Sequence, residues 1–375
     1  MADRLEVAIA AGGTAGHINP ALALAEELRD RGHHVTFYGQ PTRLEAKLVP
    51  KAGFDFVPIR VSGFDRSRPW TLVSSLVRVR RAQAQLAARF RREGAPDVAI
   101  GFGAYVEMAL LRCCKSMGVP YLLHEQNSVP GLANKALASA AREVCISVPA
   151  ARAVFEREHG GPAVVLTGNP VRRSVIEADG AAGRERLGIP ADATVLLVFG
   201  GSLGARTINE GLSALKGRLL GIEGLYVVHS TGADGFEETS RELALTPDEA
   251  LRWRVMPYID DMGDMLAAAD LVVSRAGASS IAEISALGVP SLLVPYPFAT
   301  ADHQTTNASY LVDAGAAVLL RDDEVPTEAF SDELLGLLED EGRRQGMREA
   351  ARGMAAGRAA EALADETEKV AGARS

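Results

Sequence analysis

Short apolar runs of three to six residues recur along the chain, separated by stretches whose apolar positions fall three and four apart. The first half offers Val7–Ala10, Val35–Tyr38, Phe54–Ile59, Val98–Phe102, Tyr121–Leu123, Val144–Ser147 and Val164–Leu166. The second half offers Val195–Phe199, Leu225–His229, Trp253–Met256, Leu271–Val273, Ser291–Val294 and Ala317–Leu320. These runs do not alternate apolar with polar, so they predict strands covered on both faces, as in parallel sheets flanked by helices. The expected fold class is α/β, with two doubly wound parallel-sheet, Rossmann-like domains facing across a cleft.

Gly168, Asn169 and Pro170 break the pattern, and a looser stretch follows before Val195. The chain therefore divides into 1–167 and 168–345, with a helical end, 346–375, packing back on the first domain. The 375 residues suit two or three domains, and 47% apolar content supplies a large core. A net charge of −8 argues against a general nucleic-acid binder. Cys113, Cys114 and Cys145 form no disulfide framework and read as packing residues in a reducing compartment. The start, "MADRLEVAIAAGG", lacks the basic and long apolar regions of a signal peptide. Residues 284–301 are uncharged, but their Gly and Pro residues read as helix end, strand and loop rather than a membrane span.

Two strands end in matching glycine turns, "GGTAGHINP" at residues 12–20 and "GGSLGA" at 200–205. Glycine lets the backbone turn tightly, and the helix start beyond it presents amides and a dipole that favour an anion. Neither turn has the G-x-G-x-x-G spacing of a dinucleotide site or the lysine of a P-loop. Thr14 adds a hydroxyl at the first turn. His17 follows it and is a candidate to accept a hydroxyl proton, although a lone His is also commonly structural. "HEQNSVPG" at 124–131 puts polar side chains at a strand's carboxyl end, where open parallel sheets bind ligands. "SRAGASSIAE" at 274–283 is another small-residue helix start. Glu283, one turn in, suits ribose hydroxyls or is a solvated helix charge. Asp302, His303 and Gln304 suit a sugar. Asp302 and His303 find no third partner at metal-ligand spacing, so no metal is expected.

The motifs "GGTAGHINP", "HEQNSVPG", "GNPVR", "GGSLGA", "YIDDM", "SRAGASSIAE" and "DHQTTNA" occur in the order found in the MurG family, which the chain resembles over residues 5–345. The family comprises bacterial transferases that convert lipid I to lipid II in peptidoglycan synthesis, in the glycosyltransferase-B fold. The resemblance implies a donor, UDP-N-acetylglucosamine, bound mainly by the second domain, with no cofactor. It implies Ser202 and Arg172 at the donor pyrophosphate and Ile259 against uracil through its backbone. It implies Ala278, Ser279, Ser280, Ile281, Ala282 and Glu283 around phosphates and ribose, and Gln304 on the sugar. Thr14, Ala15, Gly16 and Asn127 would complete the site from the first domain. Gly12 and Gly13 would face the acceptor's diphosphate. Leu203, Ser279–Ser280 and "GFGAYVEMA" depart from the commonest family residues. The implied reaction is an inverting attack of the muramoyl C4 hydroxyl on C1 of the donor sugar. His17 is the favoured general base, with Glu125 and Tyr105 behind it.

Residues 66–92 contain eight Arg and no acid. Leu72, Leu76, Val79, Leu86 and Phe90 are expected on one helical stripe, with Arg78, Arg80 and Arg81 elsewhere and Trp70 nearby. Such a helix either packs on a sheet or lies on an anionic bilayer, and a lipid-linked acceptor favours the bilayer. The expected place is the cytoplasmic face of the membrane, peripherally. Two rivals stand beside the transferase: a UDP-N-acetylglucosamine 2-epimerase of the same fold, and a non-catalytic membrane scaffold.

Overall fold

A computed structural model describes residues 4–61, 71–156, 161–201, 204–299, 302–352, 354 and 356–372, without the side chains of residues 71–73 and 356. The chain forms two compact units, residues 1–172 with 357–375 and residues 173–356.

The first unit is built on seven parallel strands: β1 (Glu6–Ala10), β2 (His34–Gly39), β3 (Asp55–Pro58), β4 (Val98–Gly101), β5 (Tyr121–Glu125), β6 (Glu143–Ile146) and β7 (Ala163–Leu166). Their order is β3-β2-β1-β4-β5-β6-β7. The period of two along β1 divides the core. Val7 and Ile9 join Leu22, Leu24, Leu28, Leu363 and Val370 on one face; Ala8 and Ala10 join Val79, Leu86, Phe90 and Leu110 on the other. Helix Ala15–Asp30 and the closing helix Ala359–Gly372 cover the first face.

The second unit repeats the plan with six parallel strands: β8 (Thr194–Phe199), β9 (Leu225–Ser230), β10 (Trp253–Met256), β11 (Leu271–Ser274), β12 (Ser291–Leu293) and β13 (Ala317–Leu319). Their order is β10-β9-β8-β11-β12-β13. Val195, Leu197 and Phe199 face one core cluster, Leu196 and Val198 the other. Every expected strand is found at its expected place; most of the runs are buried on both sides, whereas the edge strands β3 and β7 are only half-buried.

The break lies between Arg172 and Arg173 rather than at 167/168, and the return to the first unit begins at Gly357 rather than 346. Arg172 is paired with Glu26 of the first unit. Helix Glu341–Arg352 stays with the second unit, where Arg348 reaches Asp270. Arg31 ties the closing helix down through Asp365 and Glu368.

The helix Thr71–Glu93 corrects the expected stripe. Ser75, Val79, Ala82, Leu86 and Phe90 are its buried face. Leu76 is 41% exposed, beside Val77 at 43%, on the side that also carries the exposed Arg78, Arg80 and Arg81. A step of three to four residues from Val79 leads back to Ser75, which leaves Leu76 pointing outward. Trp70 and the Leu72 side chain lie outside the described residues. The three cysteines are buried and unpaired with one another.

Candidate functional site

In each sheet the strand order reverses once, between β1 and β4 in the first and between β8 and β11 in the second. Open parallel sheets bind ligands outside the carboxyl ends of such strands. Both glycine turns fall there.

In the first unit, Gly13 (φ 87°) and Thr14 lead from β1 into helix Ala15–Asp30. Thr14 is extended and exposed; Ala15, Gly16 and His17 are half-buried. His17 Nδ1 lies 3.2 Å from Thr14 Oγ1, and the ring also hydrogen-bonds the Gly12 carbonyl. Its Nε2 faces Gly103 at the end of β4, 3.6 Å from where a Cβ would stand. Burial holds its pKa below the ordinary imidazole value, against the opposing pull of the Gly12 carbonyl and the Glu45 charge. The ring is therefore neutral near pH 7, the form that accepts a proton.

The glycine turn itself departs from the expected anion cradle. Glu45, 1% exposed, sits beneath it and accepts the Gly13 amide at 3.1 Å and the Gln40 amide at 2.9 Å. A Cβ at Gly12 would overlap this carboxylate. The Gly13 amide is spent within the chain, and an acid below the turn repels a diphosphate there. The His17 and Ile18 amides at the start of the following helix are likewise taken, both by the Thr14 carbonyl.

Glu125, buried at the end of β5, accepts the amides of Asn127 and Gly131 at 3.0 Å each and the Asn134 side chain at 2.8 Å. Burial raises its pKa; the side chain of Asn134 and the amides of Asn127 and Gly131 oppose the rise. Both oxygens are committed to holding loop 126–131, which makes Glu125 a loop anchor and not a free base. Asn127 and Tyr105 are half-buried along the same edge. Glu107, fully buried, takes the Gly103 amide at 2.7 Å, and burial drives its pKa well upward.

In the second unit, Gly204 (φ 77°) lies so close to the Thr231 carbonyl that no side chain fits. Asn209 reinforces the contact, donating to Thr231 O and lying 3.0 Å from His229 Nε2. Ser202 lies outside the described residues. Helix Ala278–Leu287 begins after the extended Gly277, with Ala278, Ser279 and Ser280 half-buried. Ile281 and Ala282 turn into the core, so their side chains are removed from the expected ligand-facing set. Glu283 is half-buried, and Ile259 is buried among core residues. Gln304 Oε1 accepts the amides of Ala276 and Tyr296, at 3.1 and 2.9 Å, bracing two loops at once. Arg275 donates to Val294 O and Pro295 O beneath them and pairs with Asp322. Among the described residues no group of three or more His, Cys, Asp or Glu is placed to hold a metal.

Glu45, Glu107, Asn209 and Arg275 escape a sequence reading because they look like ordinary helix or strand-end polar residues. Only their burial marks them.

Two doubly wound parallel units, each with a glycine turn at its switch point, are the parts of the glycosyltransferase-B fold, and the comparisons with known proteins assign the class. The N-terminal domain of glycosyltransferase family 28 matches residues 7–146 and the C-terminal domain residues 195–364. An enzyme of Salinibacter ruber named UDP-N-acetylglucosamine--N-acetylmuramyl-(pentapeptide) pyrophosphoryl-undecaprenol N-acetylglucosamine transferase is 41% identical over 94% of this chain and 93% of its own. Its namesake in Halothermothrix orenii is 38% identical over 86% and 87%. The crystal structure of Acinetobacter baumannii MurG matches with a TM-score of 0.74 and 28% identity, over 98% of this chain and 99% of that one. The chain belongs to glycosyltransferase family 28 and, within it, to the MurG family of N-acetylglucosamine transferases.

Proposed function

We propose that this enzyme moves N-acetylglucosamine from UDP-N-acetylglucosamine to the C4 hydroxyl of the N-acetylmuramoyl unit of lipid I, inverting C1 and giving lipid II. The names and close similarity of the relatives support that reading over an epimerase. The complete second sheet, with its own glycine turn, speaks against a scaffold.

The observation that carries the chemistry is the neutral His17 ring at the β1–β4 switch point, fixed by Gly12 and Thr14. As the acceptor oxygen bonds to C1, its proton passes to His17. The C1–O bond to UDP breaks, and the electron pair leaves with the diphosphate. A donor held by the second unit would place that growing charge at the helix start Ala278–Ser280 and at the turn carrying Ser202. Glu283 would take the ribose hydroxyls, the Ile259 backbone the uracil, and the free amide end of Gln304 the sugar. Thr14, Ala15, Gly16 and Asn127 line the first unit's share. Neither UDP-sugar nor acceptor calls for a cofactor or metal in this scheme.

We place the enzyme at the cytoplasmic membrane face, held by the outward side of helix Thr71–Glu93, where Leu76 and Val77 stand among Arg78, Arg80 and Arg81. No described helix is long and apolar enough to cross a membrane. The defining experiment incubates the enzyme with UDP-N-acetylglucosamine and a short-chain lipid I analogue. A β-linked disaccharide product and UDP are expected. Release of the 2-epimer from donor alone, with no disaccharide, would replace this reading by the epimerase.

A further inference from the structure

Three acids lie buried at the carboxyl edge of the first sheet, and the transfer as derived uses none of them directly. Glu125 holds loop 126–131, and Glu107 holds Gly103. Glu45 differs in what it carries. It opens the short helix Glu45–Lys51, and its two oxygens bridge the ends of β1 and β2 by accepting the Gly13 and Gln40 amides. Both partners are donors only, so the side chain is bound as a carboxylate. Gly12 and Gly39 both pack so tightly against it that a Cβ at either would overlap it.

We infer that Glu45 is a positioning residue for sugar transfer: its carboxylate clamps the Gly12–Gly13 turn to the end of β2 and so fixes the carbonyl against which His17 is held. The inference rests on His17 being the base. Three contacts define the seat of the imidazole: the Gly12 carbonyl, the Thr14 hydroxyl and the Gly103 edge. The titratable groups around it are Glu45 from helix Glu45–Lys51, Glu107 behind Gly103, and Glu125 behind Asn134, whose side chain also abuts Gly103. Of these, Glu45 acts on the ring directly, and its negative charge favours the protonated imidazole. One clamp thus sets both where the base stands and how readily it holds the proton it receives. A base displaced by about 1 Å costs on the order of 100-fold in rate.

The test is Glu45→Gln, which keeps the shape and removes the charge. Turnover with a lipid I analogue should fall about 100-fold. The acid limb of kcat/KM should move to lower pH, because the imidazolium loses its counter-charge, while UDP affinity stays at the wild-type value. In a His17→Ala background the same change should cost nothing more, since the two act as one unit. A Glu45→Gln enzyme with wild-type rate and acid limb would overturn the inference, as would an equal loss in the His17→Ala background. If the variant gives no cooperative melt, Glu45→Asp serves instead. It keeps the charge one methylene away, so a rate loss with an acid limb near the wild-type position is expected, and an unchanged rate overturns the inference. His17→Ala alone separates the two readings. Wild-type turnover there removes the base and the clamp together, whereas a crippled His17→Ala beside an inert Glu45→Gln removes only the clamp.

Discussion

Arg172 donates from Nε and Nη2 to a single oxygen of Glu26, at 3.1 and 2.7 Å. The second Glu26 oxygen is buried with no partner among the described residues. Arg172 thus braces the Ala15–Asp30 helix, and its place at the donor phosphates rests on the family resemblance. Arg172→Ala should destabilise the protein by about 1.5–3 kcal/mol, the range for hydrogen bonds to a charged group. Urea unfolding measures this. Unchanged stability with weakened UDP binding would return Arg172 to the donor site.

His17→Ala should lower turnover by roughly 10²–10⁴-fold, the usual contribution of a general base, with donor affinity little changed. The wild-type pH profile carries a second expectation. Burial lowers the His17 pKa, so the neutral base persists below pH 6.5, and kcat/KM should begin to fall only at lower pH. An acid limb centred above pH 6.5 would remove His17 from the role.

Glu107 links pH to stability. Its folded pKa is raised above the ordinary 4.5, chiefly by burial, then against the Gly103 amide and with the help of the Glu125 charge. Above pH 4.5 the unfolded chain releases this proton while the folded chain keeps it, so the folded state binds more protons and stability falls as pH rises. Glu107→Gln lacks that slope. Urea melts at pH 5 and pH 8 should show the variant gaining on wild type at the higher pH. Parallel profiles would contradict this.

Gln304→Ala frees the amides of Ala276 and Tyr296 that its oxygen now holds. Losing those restraints should loosen both loops and weaken UDP-N-acetylglucosamine binding by about tenfold, or about 1.4 kcal/mol. Calorimetry on the variant measures it. Wild-type affinity would confine Gln304 to a surface role.

Exchanging Arg78, Arg80 and Arg81 for Glu should cut co-sedimentation with phosphatidylserine vesicles by at least about tenfold, at roughly 1 kcal/mol per basic residue near the surface. Equal sedimentation would detach this helix face from the membrane.

The strands were legible in the sequence because buried parallel strands are uniformly apolar, as at Val195–Phe199 and Leu271–Ser274. The glycine turns were legible because backbone geometry leaves Gly204 no room for a side chain. The use made of those turns was not. Nothing in "RLEAKLVP" says that Glu45 folds beneath Gly13, since the contact spans 32 residues and depends on β1 and β2 lying side by side. The stripe on Thr71–Glu93 held at Val79, Leu86 and Phe90 and missed at Leu76 for a smaller reason. Leu76 and Val79 are both apolar and three apart, but the buried line passes through Ser75 instead.

The closing helix Ala359–Gly372 supplies Leu363, Ala364 and Val370 to the core beside Ile9 and Leu28. During synthesis the first unit leaves the ribosome with that face uncovered, and the segment that seals it is made only after residues 173–356. Residues 173–356 are contiguous and can close while the earlier unit still waits. The unit whose translation starts first is therefore the one that closes last, and a stop codon placed just after residue 356 would leave its opening strands uncovered on that face.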